Sequence, residues 1–118
     1  MTHDELLALC LDLPGAWPDE PWEGDVVAKV GKPGKIFAFP GPGDPMSVSL
    51  KVAPEDRPEL CAAYPDVVGD APYLSKKHWV RVVLDGTVPD DEVRELVVNS
   101  YRLVVAALPK SQRPAPDA

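Results

Sequence analysis

Between Val26 and Val52 the chain is cut into three short β-prone runs by two breaks rich in glycine and proline. Val26–Val30 leads into Gly31-Lys32-Pro33-Gly34, Lys35–Phe39 leads into Gly41-Pro42-Gly43-Asp44-Pro45, and Met46–Val52 closes the series. Neighbouring parallel strands need a crossover of about a dozen residues or more, and breaks this short cannot supply one. The runs must therefore pair as an antiparallel meander, the first two as a hairpin with a four-residue loop. Met46, Val48, Leu50 and Val52 alternate with Ser47, Ser49 and Lys51, so one face of this sheet is suited to a core and the other to water.

Helical patterns flank the meander. Thr2-His3-Asp4-Glu5 has the form of a capping box, in which Thr2 and Glu5 satisfy each other's free helix-start amides. Leu6, Leu9, Cys10 and Leu13 then recur at helical spacing until Pro14-Gly15 ends the run. Residues 16–25, rich in proline and acid, read as an irregular connection whose Trp17 and Trp22 pack down as a lid on the core. A short helix is expected over 54–64, with its regular part beginning nearer Pro58 and ending at Tyr64-Pro65. A loop through Gly69-Asp70-Ala71-Pro72 leads to Ser75, a strand covers about 79–84, and Asp85-Gly86 turns it. Pro89-Asp90-Asp91-Glu92 opens a last helix with acids at its positive end. Its buried stripe is Val93, Leu96, Val97, Tyr101, Val104, Ala107 and Leu108, and Pro109 stops it. On that stripe Ser100 is expected to bond back to a carbonyl one turn earlier. The predicted architecture is a single α+β domain over residues 1–113, ordered α-β-β-β-α-β-α. Its antiparallel sheet, the three-strand meander plus a further strand, packs against helices, and residues 114–118 form a disordered tail.

A chain of 118 residues can bury one core. Its apolar runs fall far short of the roughly 20 residues of a membrane span, and its first residues are acidic where a secretory signal is basic. A cytoplasmic monomer with no membrane role is expected. In a reducing compartment Cys10 and Cys61 are two small apolar side chains rather than a disulfide. Two cysteines and two histidines without close pairing make no zinc site, and no cofactor motif is present. Asp19, Glu20, Glu23 and Asp25 read as solvated charge, too exposed to hold a metal firmly.

The net charge of −7 is unevenly spread. Residues 1–25 hold seven acids and no lysine or arginine, and the remaining residues hold twelve of each sign. Segments 26–51 and 71–84 are each locally +3. The second contains Ser75-Lys76-Lys77-His78-Trp79, which runs into Val80-Arg81-Val82-Val83-Leu84. If Val80, Val82 and Leu84 face the core, strand alternation puts Lys77, Trp79 and Arg81 on the opposite face. His78 then falls on the core side as a hydrogen-bonded structural residue. Cations beside an exposed aromatic suit phosphate contact with base stacking, and they suit an acidic protein partner equally well. The competing expectation is that the chain's own acids at 4–25 cover Trp79 and neutralise Lys77 and Arg81.

Several of these residues recur together in one known family. Leu13-Pro14-Gly15, Ser49-Leu50-Lys51, Tyr64-Pro65, Ser75-Lys76-Lys77-His78-Trp79, Ser100-Tyr101 and Leu108-Pro109-Lys110 resemble the MmcQ/YjbR family over roughly residues 3–113. The resemblance implies a small α+β domain of frataxin-like (CyaY-like) architecture. It also implies the DNA-binding role described for members through a double-wing arrangement.

Together these readings predict a non-enzymatic binding domain with no catalytic residues, no metal and no cofactor. The expected binding residues are Lys76, Lys77, His78, Trp79, Arg81, Lys51, Lys29 and Lys35, and the expected partner is DNA. The alternative is a protein- or small anionic ligand-binding module with no nucleic-acid role. A hydrolase built on His78 has little in its favour, because the sequence offers it neither a partner nor a pocket.

Overall fold

The chain begins with the capping box its first residues encode, and the helix that follows is fixed at its start by side chains. In the structure, a computed structural model that describes residues 1–72 and 74–114, Thr2 Oγ1 accepts from the Glu5 amide and Glu5 Oε1 accepts from the Thr2 amide, each at 3.1 Å. Those bonds hold the Glu5 carboxyl below its usual range. Helix α1 (His3–Leu11) buries Leu6 and Cys10. Burial pushes the Cys10 thiol up to about 12, as expected of a thiol packed as an apolar side chain.

Six strands form one antiparallel sheet: β1 (Ala16–Trp22), β2 (Asp25–Val30), β3 (Lys35–Pro40), β4 (Ser47–Lys51), β5 (Val68–Gly69) and β6 (Trp79–Val83). Their order across the sheet is β1-β2-β3-β4-β6-β5. Helix α2 (Arg57–Ala63) follows β4, and α3 (Asp90–Ala107) follows β6. The meander and the further strand are present, and two strands are added at the edges.

β1 corrects the reading of 16–25 as irregular. Pro18 and Pro21 argue against a central strand, yet β1 pairs with β2 alone and needs no donors on its outer side. Its tryptophans form no lid on the core. Trp17 donates from Nε1 to the Gly31 carbonyl at 2.8 Å, and Trp22, 55% exposed, stacks on Phe39. β5 has only two residues, too few to leave a periodic pattern.

The register assigns the two faces of the sheet. Ala28, Ala38, Leu50 and Val80 lie opposite one another in one row, and all four are fully buried. They join Leu6 and Cys10 of α1 and Val93, Val97 and Val104 of α3 in a single core, against which Leu60 and Cys61 of α2 also pack. The helices thus cover one face. On the other, alternation places Val27, Phe39, Ser49 and Arg81 in one row and Lys51 beside Trp79 in the next.

β3 carries a bulge. Ala28 pairs with Ala38 and Lys29 with Ile36, which leaves Phe37 as an extra residue on β3. The bulged Phe37 turns into the core and meets Tyr101 edge-on at 5.3 Å. Tyr101 donates its hydroxyl to the Pro14 carbonyl, tying α3 to the end of α1. Among the described residues no helix is long and apolar enough to cross a membrane. Residues 115–118 of the expected tail lie outside the described residues.

Candidate functional site

Ser100 decides where the sheet opens. It sits on α3 and is fully buried, but it does not bond back along its own helix. Its hydroxyl donates to the Phe37 carbonyl at 2.6 Å and accepts from the Lys51 amide at 2.8 Å. A regular ladder would pair those two backbone groups directly, because the adjacent residues Ala38 and Leu50 are register partners. The helix side chain replaces the direct bond and satisfies both strands. β3 and β4 fork at this point with the Phe37 carbonyl and the Lys51 amide both bonded.

A hollow of about 440 Å³ lies in the fork. Lys35, Ile36 and Gly34 line it from the β3 side, Lys51 and Trp79 from the β4–β6 side, Lys29 from β2, and Val104 and Ala107 of α3 from beneath. This accounts for Ala107, expected in the buried stripe, being exposed. Gly34 is held by its neighbours: its φ is +98°, and a Cβ there would come within 2.7 Å of the Trp17 ring. Trp17 therefore packs on the turn that presents Lys35.

The charges in the hollow are unequal. Lys29 Nζ lies 2.6 Å from Asp19 Oδ2 and 5.5 Å from the Trp17 ring centroid. The hydrogen bond from Lys29 is the main reason the Asp19 carboxyl sits below its usual range. Among the described residues, neither Lys35 nor Lys51 pairs with a carboxylate.

The other expected binding residues are spread along β6 and the turn before it. Arg81 shares the helix-free face with Trp79 and donates from Nε to Ser47 Oγ at 3.0 Å. That contact helps explain why Ser47, expected to face water, is 4% exposed. Lys76, Lys77 and His78 lie in the turn before β6, all exposed, and Lys76 Nζ is 3.7 Å from Asp70. The core-side placement of His78 is corrected here. The strand begins at Trp79, the Trp79 amide bonds to the Ser75 carbonyl at 3.0 Å, and strand alternation does not extend into the turn.

The acidic segment does not cover this region in the way considered above. Asp19 and Glu20 belong to β1, and β2, β3 and β4 lie between it and β6. Asp4 and Glu5 sit on α1, against the other face. Among the described residues no acid of 4–25 pairs with Lys77 or Arg81, and the lysine this segment does neutralise is Lys29.

Sequence reasoning missed Gly34, Ile36 and the positioning role of Ser100. A Gly-Lys-Ile run after a turn and a serine on an apolar helical stripe were both visible, but only their pairing across the fork gives them meaning. A second hollow of about 500 Å³ lies between α2 and α3, with Asp56, Glu59, Glu92 and Arg102 at its walls and Lys51 at its edge.

The YjbR family profile matches residues 11–103. Escherichia coli K12 YjbR, described as an uncharacterised protein, is 35% identical over 115 residues, which is 96% of this chain and 95% of the relative. The chain belongs to the YjbR family. A crystal structure of a Deinococcus radiodurans protein, described as a domain of family DUF419, has 38% identity and a TM-score of 0.88 over 94% of this chain and 84% of that one. A Pseudomonas syringae protein at 24% identity shares the fold, with a TM-score of 0.72 over 88% of this chain and 99% of its own. Within the matched span lie all eight expected binding residues and Ser100.

Proposed function

We propose that this YjbR-family chain is a non-enzymatic binding domain that takes single-stranded DNA on the helix-free face of its sheet. The observation that carries this reading is the gathering of Lys29, Lys35, Lys51 and Trp79 around one hollow, with Arg81 in the row next to that of Lys51 and Trp79. Lysines reach phosphates, and an indole beside them offers a stacking surface that tolerates any base. A duplex keeps its bases stacked inside, so it could use the lysines but not Trp79. The net charge of −7 is compatible with this because it arises from the seven acids of residues 1–25, which lie between α1 and the start of β2, while the remaining residues are balanced in charge.

The test is fluorescence anisotropy with a labelled single-stranded oligonucleotide at two salt concentrations. Saturable binding should weaken with salt, and the log–log slope should fall by about 0.7 for each phosphate-contacting lysine removed. The Lys35→Ala/Lys51→Ala variant, with its melting temperature checked, should bind about tenfold more weakly or worse, the size of effect expected for lost charge-assisted contacts. Absence of saturable binding, or equal binding by this variant, would overturn the reading.

A further inference from the structure

We infer that the hollow at the β3–β4 fork is a site for a nucleotide phosphate monoester, with the phosphate between Lys35 and Lys51 and the base against Trp79. This deepens the reading above and rests on it for the choice of the helix-free face.

The walls of the fork determine the ligand's charge. Lys35 approaches from the β3 side and Lys51 from the β4 side, while the third lysine, Lys29, is held by Asp19 at 2.6 Å. Two lysines that pair with no carboxylate among the described residues therefore line one space across the fork. A phosphate monoester carries about −1.5 to −2 at pH 7, which balances two ammoniums. An internal phosphodiester carries a single negative charge and would leave one lysine uncompensated. The charge count selects a free nucleotide or the phosphorylated end of a strand over the middle of one.

The remaining walls determine the rest of the ligand. Trp79 is the register partner of Lys51, so its indole lies beside one of the two cations. Ile36 and the floor of Val104 and Ala107 offer apolar surface. A flat heteroaromatic group attached near the phosphate meets both requirements. The volume of about 440 Å³ falls within the range of about 300–1,000 Å³ usual for small-molecule sites. Because Ser100 satisfies the backbone groups at the apex, the fork needs no ligand to stay open.

Isothermal titration calorimetry with adenosine 5′-monophosphate, adenosine and inorganic phosphate, and with one oligonucleotide bearing or lacking a 5′-phosphate, tests this. The monophosphate should bind about tenfold or more tightly than adenosine, the difference one charge-assisted contact supplies. The 5′-phosphorylated strand should exceed the unphosphorylated strand in the same sense. Lys35→Ala, Lys51→Ala and Trp79→Ala should each weaken monophosphate binding, and Trp22→Ala, on the other side of the face, should not. Lys35→Ala, at the exposed first residue of β3, keeps the test interpretable if Trp79→Ala fails to fold.

If both strands bind equally and the monophosphate does not bind, this inference is overturned and the broader DNA-binding reading stands. If the monophosphate binds and no strand does, the DNA-binding reading fails and the site is one for free nucleotides. If inorganic phosphate competes as well as the monophosphate, the base contact is wrong and the inference falls. If nothing binds, both readings fail.

Discussion

The two faces of this sheet follow different rules, although alternate residues of the same strands build them. The helix-covered face is a continuous apolar layer in which Ala28, Ala38, Leu50 and Val80 meet the side chains of α1 and α3. The opposite face mixes Lys29, Lys51, an arginine, two serines, Phe39 and the tryptophans, with Trp22 standing 55% exposed, while Lys35 at the start of β3 pairs with core-facing Val30. Stability is concentrated on the first face, and the proposed recognition chemistry lies on the second. Substitutions on the two faces should therefore act on different observables, except where one residue serves both.

The largest effect should come from Leu6→Ala, far from the fork and fully buried. Urea denaturation should show a loss of about 2–5 kcal/mol, the usual cost of a buried leucine cut to alanine. The folded fraction should keep its affinity for anions, and a parallel loss of affinity would break the separation of the faces. Ser100→Ala should cost about 1–3 kcal/mol, because the Lys51 amide and the Phe37 carbonyl lose their shared partner. Ser100 is the residue that serves both faces, so here affinity should fall as well. Unchanged affinity would mean that the fork holds its shape without the hydroxyl.

A smaller change is expected at the start of α1. Thr2→Ala removes one half of the capping box and should cost about 1 kcal/mol, read by chemical denaturation, with no change in binding. The smallest effect, and the one that sharpens the comparison most, concerns Asp19→Asn. The Lys29 ammonium holds the Asp19 carboxyl below its usual range, so the pairing is fully present above the ordinary carboxylate range and is lost as pH falls through the depressed value. At pH 7 only substitution frees Lys29. Anion affinity should then rise by about fivefold or less, the scale of an exposed ion pair. An unchanged or weaker affinity would show that Lys29 contributes nothing to the hollow.

Much of the fold was legible because it depends on local rules. The breaks at 31–34 and 41–45 forced the meander, Thr2 and Glu5 marked the first helix, and alternation through Met46–Val52 and Val80–Val82 assigned the faces. The site was legible only in part. Lys29, Lys35, Lys51 and Trp79 were named, but their convergence depends on the Phe37 bulge and on Ser100, a contact between residues 63 positions apart that no local pattern encodes. Two misreadings have definite causes. His78 was placed by extending strand alternation into a turn, and β1 was dismissed for prolines that an edge strand tolerates.

Those prolines have a further consequence. An exposed sheet edge is a template on which a second chain can add a strand, and repeated addition is the route to fibrils. Pro18 and Pro21 remove two donors from β1, and Asp19, Glu20 and Glu23 surround them with negative charge. At the opposite end the sheet closes with only the two residues of β5. The molecule thus guards both flanks against edge-to-edge aggregation while α1 and α3 leave the Lys51–Trp79 face between them without a helix.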